Sequence, residues 1–208
     1  MNEKYSDQIF INCPFDDKYK KLFYSIVFTV LDCGFIPRCS KEINDSTRFR
    51  LKSIVEIIRE CKYGIHDLSR VELDDNNLPR FNMPFELGIF YGAKEFGINN
   101  QRRKNCIILE KEKYRYQKFI SDLSGVDIIA HDNKVKNCII SIRNWLRTSS
   151  RRETIPDGRV VIERYNKFLK VCNELNINYQ DMTFIELTQN ISDWLNINRV
   201  IVKPLFTI

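Results

Sequence analysis

YGIHDLSR (residues 63–70) and, after a polar loop, NMPFELGIFYGAKEFG (residues 82–97) are the stretch on which the reading of this 208-residue chain turns. The first piece is an apolar run ending on an acid, Asp67, and reads as a buried strand over Tyr63–Asp67. The second reads as a helix. Leu87, Ile89, Phe90, Tyr91 and Ala93 carry it to Gly97, Asn82 is placed to cap it, and Pro84 suits its first turn. It brings a second acid, Glu86, into its opening turns. In open α/β sheets, ligands bind where loops leave the carboxyl ends of the strands. A strand–loop–helix unit with an acid at each end therefore puts two carboxylates at the mouth of a site.

Outward from this unit, strand and helix patterns alternate. QIFIN (Gln8–Asn12) reads as a first strand, closed by Cys13, Pro14 and Phe15. Leu22, Phe23, Ile26, Val27, Val30 and Leu31 give residues 19–33 a helical period, which Gly34 stops. Residues 35–39 read as a second strand whose Pro37, lacking a backbone donor, suits an edge or irregular position. Asn44, Asp45 and Ser46 offer caps for a helix over residues 47–60, and Asn105–Glu110 and residues 126–131 read as the fourth and fifth strands. Residues 134–149 are amphipathic and helical.

This alternation implies a parallel sheet wound by right-handed crossovers: a doubly wound, five-stranded α/β domain over residues 1–148. A polar break follows. Two further helical patterns, residues 160–175 and 183–195, and a short apolar tail form a helical C-terminal extension over 149–208. It either packs on the first domain or makes a dimer contact.

Composition excludes several classes. With 43% hydrophobic and 29% charged residues, and only 7 Gly and 6 Pro, the chain can build a core and is not a linker-rich protein. The net charge of +6 is spread along the chain, compatible with an anionic small molecule; Arg147, Arg151 and Arg152 read as solvated charge at the polar break, so nucleic acid is not expected as a partner. The seven cysteines are odd in number and show no CxxC or Cys/His metal spacing, which reads as reduced thiols in a cytoplasmic protein with no metal site. The polar opening residues are no signal peptide, and no apolar run is long enough to span a bilayer. GxGxxG and P-loop motifs are missing, which disfavours a Rossmann dehydrogenase or a nucleotide triphosphatase.

Three segments together carry a resemblance. IFINCPFDDKY (residues 9–19) resembles the opening strand and loop of nucleoside 2-deoxyribosyltransferases and of bacterial TIR domains. YGIHDLSR followed by PFELGIFYGAKEFG resembles the deoxyribosyltransferase pattern of a strand ending in Asp and a helix opening with FELG. The resemblance covers about the first two thirds of the chain and implies a flavodoxin-like topology. It implies that Glu86 is the catalytic carboxylate and that Asp67 helps to hold the sugar. One segment departs from the pattern: the loop between the acids carries Arg70, Asp74, Asp75 and Arg80 in place of a Gly-rich turn, which leaves the substrate open.

The shared chemistry of both families is scission of a bond between a sugar anomeric carbon and a ring nitrogen. A carboxylate can stabilise the oxocarbenium-like transition state or attack it. At a helix start the dipole favours the anion by about 0.3–1 kcal/mol, so Glu86 is expected to be ionised. Asp67 is read as a sugar contact or as a cap on the Leu68–Ser69 loop. Cys13, Pro14 and Phe15 would wall the base or nicotinamide, and Ser69, Asn82 and Phe85 complete the expected substrate contacts. Arg48, with Arg50 beside a helix start, suits phosphate. His66 should face away from Asp67 by strand alternation, and His131 ends the last strand near the same edge.

The expected function is N-glycosidic cleavage of NAD or a related nucleotide, with NAD as substrate and no cofactor. By the TIR resemblance, the product would be a signalling nucleotide in antiphage defence. The alternatives are nucleoside deoxyribosyl transfer and a non-catalytic nucleotide-binding or assembly module. A homo-oligomer and an activating or effector protein are the expected partners, and a membrane is not.

Overall fold

A computed structural model describes residues 5–70, 80–179 and 181–199. Asp74, Asp75 and the apolar tail from residue 200 onward lie outside the described residues. The sheet is five-stranded and all-parallel, built from β1 (Gln8–Asn12), β2 (Ile36–Arg38), β3 (Tyr63–Asp67), β4 (Asn105–Glu110) and β5 (Ile129–Ala130), in the order β2-β1-β3-β4-β5. This is the doubly wound, flavodoxin-like order. β1, β3 and β4 form as the sequence indicates, because strands covered on both faces are continuous apolar runs. β2 is an edge strand, which tolerates Pro37. β5 is only two residues long, shorter than the 126–131 reading; Val126 and Ile128 are taken up in turns that follow two 3₁₀ segments instead of a crossover helix.

The α-helices among the described residues are α1 (Lys20–Asp32), α2 (Arg50–Glu60), α3 (Asn82–Phe96) and α4 (Val135–Ser150), which cover the sheet, and α5 (Gly158–Glu174) and α6 (Phe184–Asn198), which pack outside α1. Strand alternation divides the core into two faces. Ile9, Ile11, Tyr63, Ile65, Ile107 and Leu109 pack with α1 and α4, whereas Phe10 packs with Ile54, Ile57 and Ile58 of α2 and Phe90 of α3. Two helix starts differ from the sequence reading. α2 begins at Arg50, because Asp45 spends its carboxylate on the Thr47 amide and hydroxyl, and α3 is preceded by Phe81 with no side-chain cap, so Asn82 is its first helical residue.

α1 is apolar on nearly every side, and the reason is that it is covered twice. One side meets the sheet. The other meets α5 and α6, where Phe28 lies 5.3 Å from Tyr165, 5.6 Å from Phe168 and 6.0 Å from Trp194 in ring centroids. The C-terminal helices therefore share the core of α1. Buried Asp32 at the end of α1 ties them down, with Arg164 of α5 at 2.9 Å. Gly34 adopts φ +78, the left-handed turn that ends α1. All seven cysteines are free thiols, and no described helix is long and apolar enough to cross a membrane.

The α2/α3 face is closely packed behind β3. A Cβ on Gly64 would meet His66 Nε2 at 2.6 Å and the Phe90 ring at 3.0 Å. Gly64→Ala is expected to destabilise the fold by about 1–3 kcal/mol through overpacking, read as a lower midpoint in urea at unchanged slope.

Candidate functional site

The strand order reverses between β1 and β3, and the loops leaving these two strands open a crevice at that point. A cleft of about 490 Å³ occupies it. That is the size range of small-molecule sites. β1 and its loop supply Asn12, Cys13, Pro14, Phe15 and Asp16; the amino end of α3 supplies Asn82, Met83 and Glu86; Ser40, Arg50 and Arg80 close the remaining sides. Of the residues expected from sequence, Glu86, Cys13, Pro14, Phe15 and Asn82 meet here.

Glu86 sits one turn inside α3, not at its first residues, and is half-buried. Burial pushes its carboxyl up to about 7, against the downward pull of Arg50. This corrects the expectation of a fully ionised Glu86. A dipole effect of about 0.3–1 kcal/mol is worth less than one pKa unit, and desolvation outweighs it. The amino end of α3 is anchored from below. Asn12 Nδ2 donates to the Met83 carbonyl at 2.8 Å and lies 3.0 Å from His66 Nδ1. Nδ1 therefore accepts, and the His66 proton sits on Nε2. Burial pushes the His66 pKa down to about 3, so the ring is neutral, wedged between Phe10 and Phe90 at 5.9 and 4.9 Å. His66 and Asn12 thus hold the helix that presents Glu86.

Cation and acid placement around the cleft is specific. Arg50 Nη2 donates to Ser40 Oγ at 3.0 Å. Asp16 accepts from the Tyr19 amide at 3.1 Å and pairs with Arg70 at 3.0 Å and Arg80 at 3.6 Å. Burial, with the Asp67 charge behind it, pushes the Cys13 thiol well up, so this cysteine is not an activated nucleophile. Phe15 is held edge-on to Phe23 at 5.2 Å, and Phe23 in turn meets Phe184 of α6 at 6.2 Å. The C-terminal helices consequently support one wall of the cleft. Among the described residues, no group of three or more His, Cys, Asp or Glu side chains is arranged to hold a metal ion.

Asp67 is not part of this lining. It is fully buried on the opposite face of the sheet, where the Tyr19 hydroxyl, the Ser69 amide (2.8 Å) and His131 Nε2 (2.9 Å) all donate to it. Burial alone would raise its pKa; the hydrogen bonds from His131, Ser69 and Tyr19 reverse that and hold it below the usual carboxylate range. The physical reason is alternation: His66 turns to the α3 face, and Asp67 turns to the α1/α4 face. His131, on the sheet edge as expected, is likewise enclosed, its Nδ1 accepting from the Asn133 amide at 3.0 Å.

Other expected contacts also lie elsewhere. Ser69 is buried, bonded to His131 at 3.0 Å, and lines a separate cavity. Arg48 is exposed and paired with Glu56 at 2.7 Å, outside the cleft; Arg50, two residues on, takes the position expected of it. Phe85 is 55% exposed on α3 and points away. Asn12, Asp16, Ser40 and Met83 carry no ligand signal in the sequence, whereas Arg50 is named there beside Arg48. Asp16 stands within the IFINCPFDDKY segment, but only the fold brings it toward Arg80. A scan against protein-family models matched no family, and searches of curated proteins and of solved structures returned no match.

Proposed function

We propose that this protein cleaves the N-glycosidic bond of NAD or a related nucleotide, with Glu86 facing the sugar. The observation that carries this reading is a half-buried carboxyl, pushed up to about 7, in a nucleoside-sized cleft at the β1/β3 crevice. Phe15 offers a ring face to a base or nicotinamide, Asn82 and Ser40 offer hydrogen bonds to sugar hydroxyls, and Arg50 and Arg80 suit an anionic substituent. Asp67, enclosed among Tyr19, Ser69 and His131, serves as a positioning residue for the loop that leaves β3.

In NAD the scissile bond joins the ribose anomeric carbon to a cationic pyridinium nitrogen. When it breaks, both electrons go to that nitrogen and neutralise it, so the leaving group needs no proton. Water then adds to the anomeric carbon and releases a proton, giving ADP-ribose and nicotinamide. The ionised form of Glu86 is the active one here, because it opposes the positive charge that grows on the sugar. By resemblance to bacterial TIR proteins, the work would be done in a homo-oligomer under control of an activating partner, with a signalling nucleotide as product.

Cleavage of NAD is expected to rise with pH and reach half its maximum near pH 7, about thirtyfold between pH 5.5 and its plateau. Chromatography of nicotinamide released between pH 5.5 and 8.5 checks this. Deoxyribosyl transfer from a neutral purine nucleoside instead needs a proton on the leaving base, and base exchange that falls with rising pH would favour that chemistry. Tight binding of NAD with the ligand recovered unchanged would replace both with a non-catalytic nucleotide-binding module.

A further inference from the structure

A second cavity, of about 280 Å³, lies at the carboxyl edge of the sheet on the α1/α4 side. Lys18, Lys21, Arg70 and Lys111 line it together with Ser69 and Asn133, and no acidic side chain is among its described lining residues. Two of the four cations are paired with acids, Arg70 with Asp16 at 3.0 Å and Lys111 with Glu112 at 3.2 Å. Neither Lys18 nor Lys21 has an acidic partner among the described residues.

This charge is poorly placed for stability alone. Lys18, Lys20 and Lys21 crowd the amino end of α1, where the helix dipole disfavours cations, and the first turn of α1 contains no acid. Lys20 is relieved by Asp17 at 2.7 Å, whereas Lys18 and Lys21 face the cavity. Like charges around a small concave space repel one another and focus a positive potential into it, which an anion would neutralise. The cavity adjoins the Glu86 cleft: Arg70 lines the cavity, and its ion-pair partner Asp16 lines the cleft.

We propose that the cavity walled by Lys18, Lys21, Arg70 and Lys111 binds the phosphate groups of a phosphorylated ligand. Lys18, Lys21 and Lys111 act as point charges toward phosphate oxygens, and Arg70 adds to the positive potential of the wall. Anion binding in this cavity does not depend on whether Glu86 breaks a bond. The phosphates belong either to the ligand whose sugar lies in the cleft or to a separate polyphosphate.

Calorimetric titration with pyrophosphate tests the site in the wild type, in Lys18→Gln/Lys21→Gln and in Glu86→Gln. The expected result is saturable binding that weakens at least tenfold in the double-lysine variant and at high salt, and is unchanged in Glu86→Gln. Both lysines are exposed, so the variant keeps the fold, and an unchanged circular dichroism spectrum verifies it. ADP and adenosine separate the two sources. If ADP binds at least tenfold more tightly than adenosine and the variant closes that gap, the phosphates belong to the cleft ligand. If pyrophosphate binds without competing with ADP, they belong to a separate molecule. Pyrophosphate and ADP affinities that are equal in wild type and variant, or no saturable pyrophosphate binding, overturn the proposal. Failure of the Glu86 reading looks different: no nicotinamide is released while pyrophosphate binding stays intact.

Discussion

Glu86→Gln is expected to abolish nicotinamide release from NAD, by a factor of about 10³ or more, and at the same time to make the protein more stable above pH 7. The amide keeps the shape of the side chain and its place in the cleft but has no negative charge with which to oppose an oxocarbenium ion. The gain in stability follows from the raised pKa. Below about pH 4.5 the carboxyl is protonated in both folded and unfolded chains, and it contributes no difference. Between 4.5 and about 7 the folded chain holds a proton that the unfolded chain releases, so stability falls as pH rises. Above pH 7 the whole cost of keeping a half-buried carboxylate is present. A shift of this size on a fully buried group would cost about 3 kcal/mol; part of the Glu86 side chain is solvated, and the gain on removing its charge is about 1–2 kcal/mol. Urea denaturation at pH 8 and pH 4 reads the effect, expected at the first pH and gone at the second. Equal stability of wild type and variant at pH 8 would show that the carboxyl is not desolvated, and unchanged turnover would remove Glu86 from the chemistry.

Asp67→Asn is expected to cost about 3–5 kcal/mol of folding stability. The Tyr19 hydroxyl, the Ser69 amide and His131 Nε2 all donate to this carboxylate, in a place with no exposure to water. An amide there presents two hydrogens to a ring of donors and leaves at least one buried group without an acceptor. The pKa of Asp67 is held low, so its contribution is fully present above the unfolded value, near 3.8, and is lost as pH falls through the folded value. Wild type should therefore lose stability in acid below about pH 4, and the variant should have lost most of that dependence. Thermal melts between pH 2.5 and 7 measure both. Activity separates positioning from contact with the substrate. Turnover per folded molecule, measured well below the melting temperature of the variant, is expected to fall by no more than about tenfold. A loss as large as that of Glu86→Gln would place Asp67 against the sugar after all.

How much of the site was legible in the chain differs residue by residue. Glu86, Asn82 and the Cys13–Pro14–Phe15 run were readable because each is adjacent in sequence to a strand end or a helix start, and such ends meet at the carboxyl edge of an α/β sheet. Asp67 satisfied the same rule and lies elsewhere, since the rule gives the edge and not the face. Arg48 and Arg50 look alike in sequence. The start of α2 at Arg50, and not near Thr47, decides that Arg50 reaches Ser40 and the cleft while Arg48 pairs with Glu56. Asp16 carried no signal of its own, because its partners Arg70 and Arg80 lie more than fifty residues away.

The sequence by itself determined β1, β3 and β4, the presence and order of the helices and the parallel α/β class. Each of these rests on short-range periodicity and on continuous apolar runs that only a doubly covered strand requires. Tertiary structure alone decided three further things: that the two acids of the opening stretch lie on opposite faces of the sheet, that Glu86 titrates near neutral pH, and that the C-terminal helices share the core of α1. The physical reason is the same for all three. Which face a side chain shares, and how much water it loses, depend on atoms brought in from distant parts of the chain, and local pattern contains no record of them.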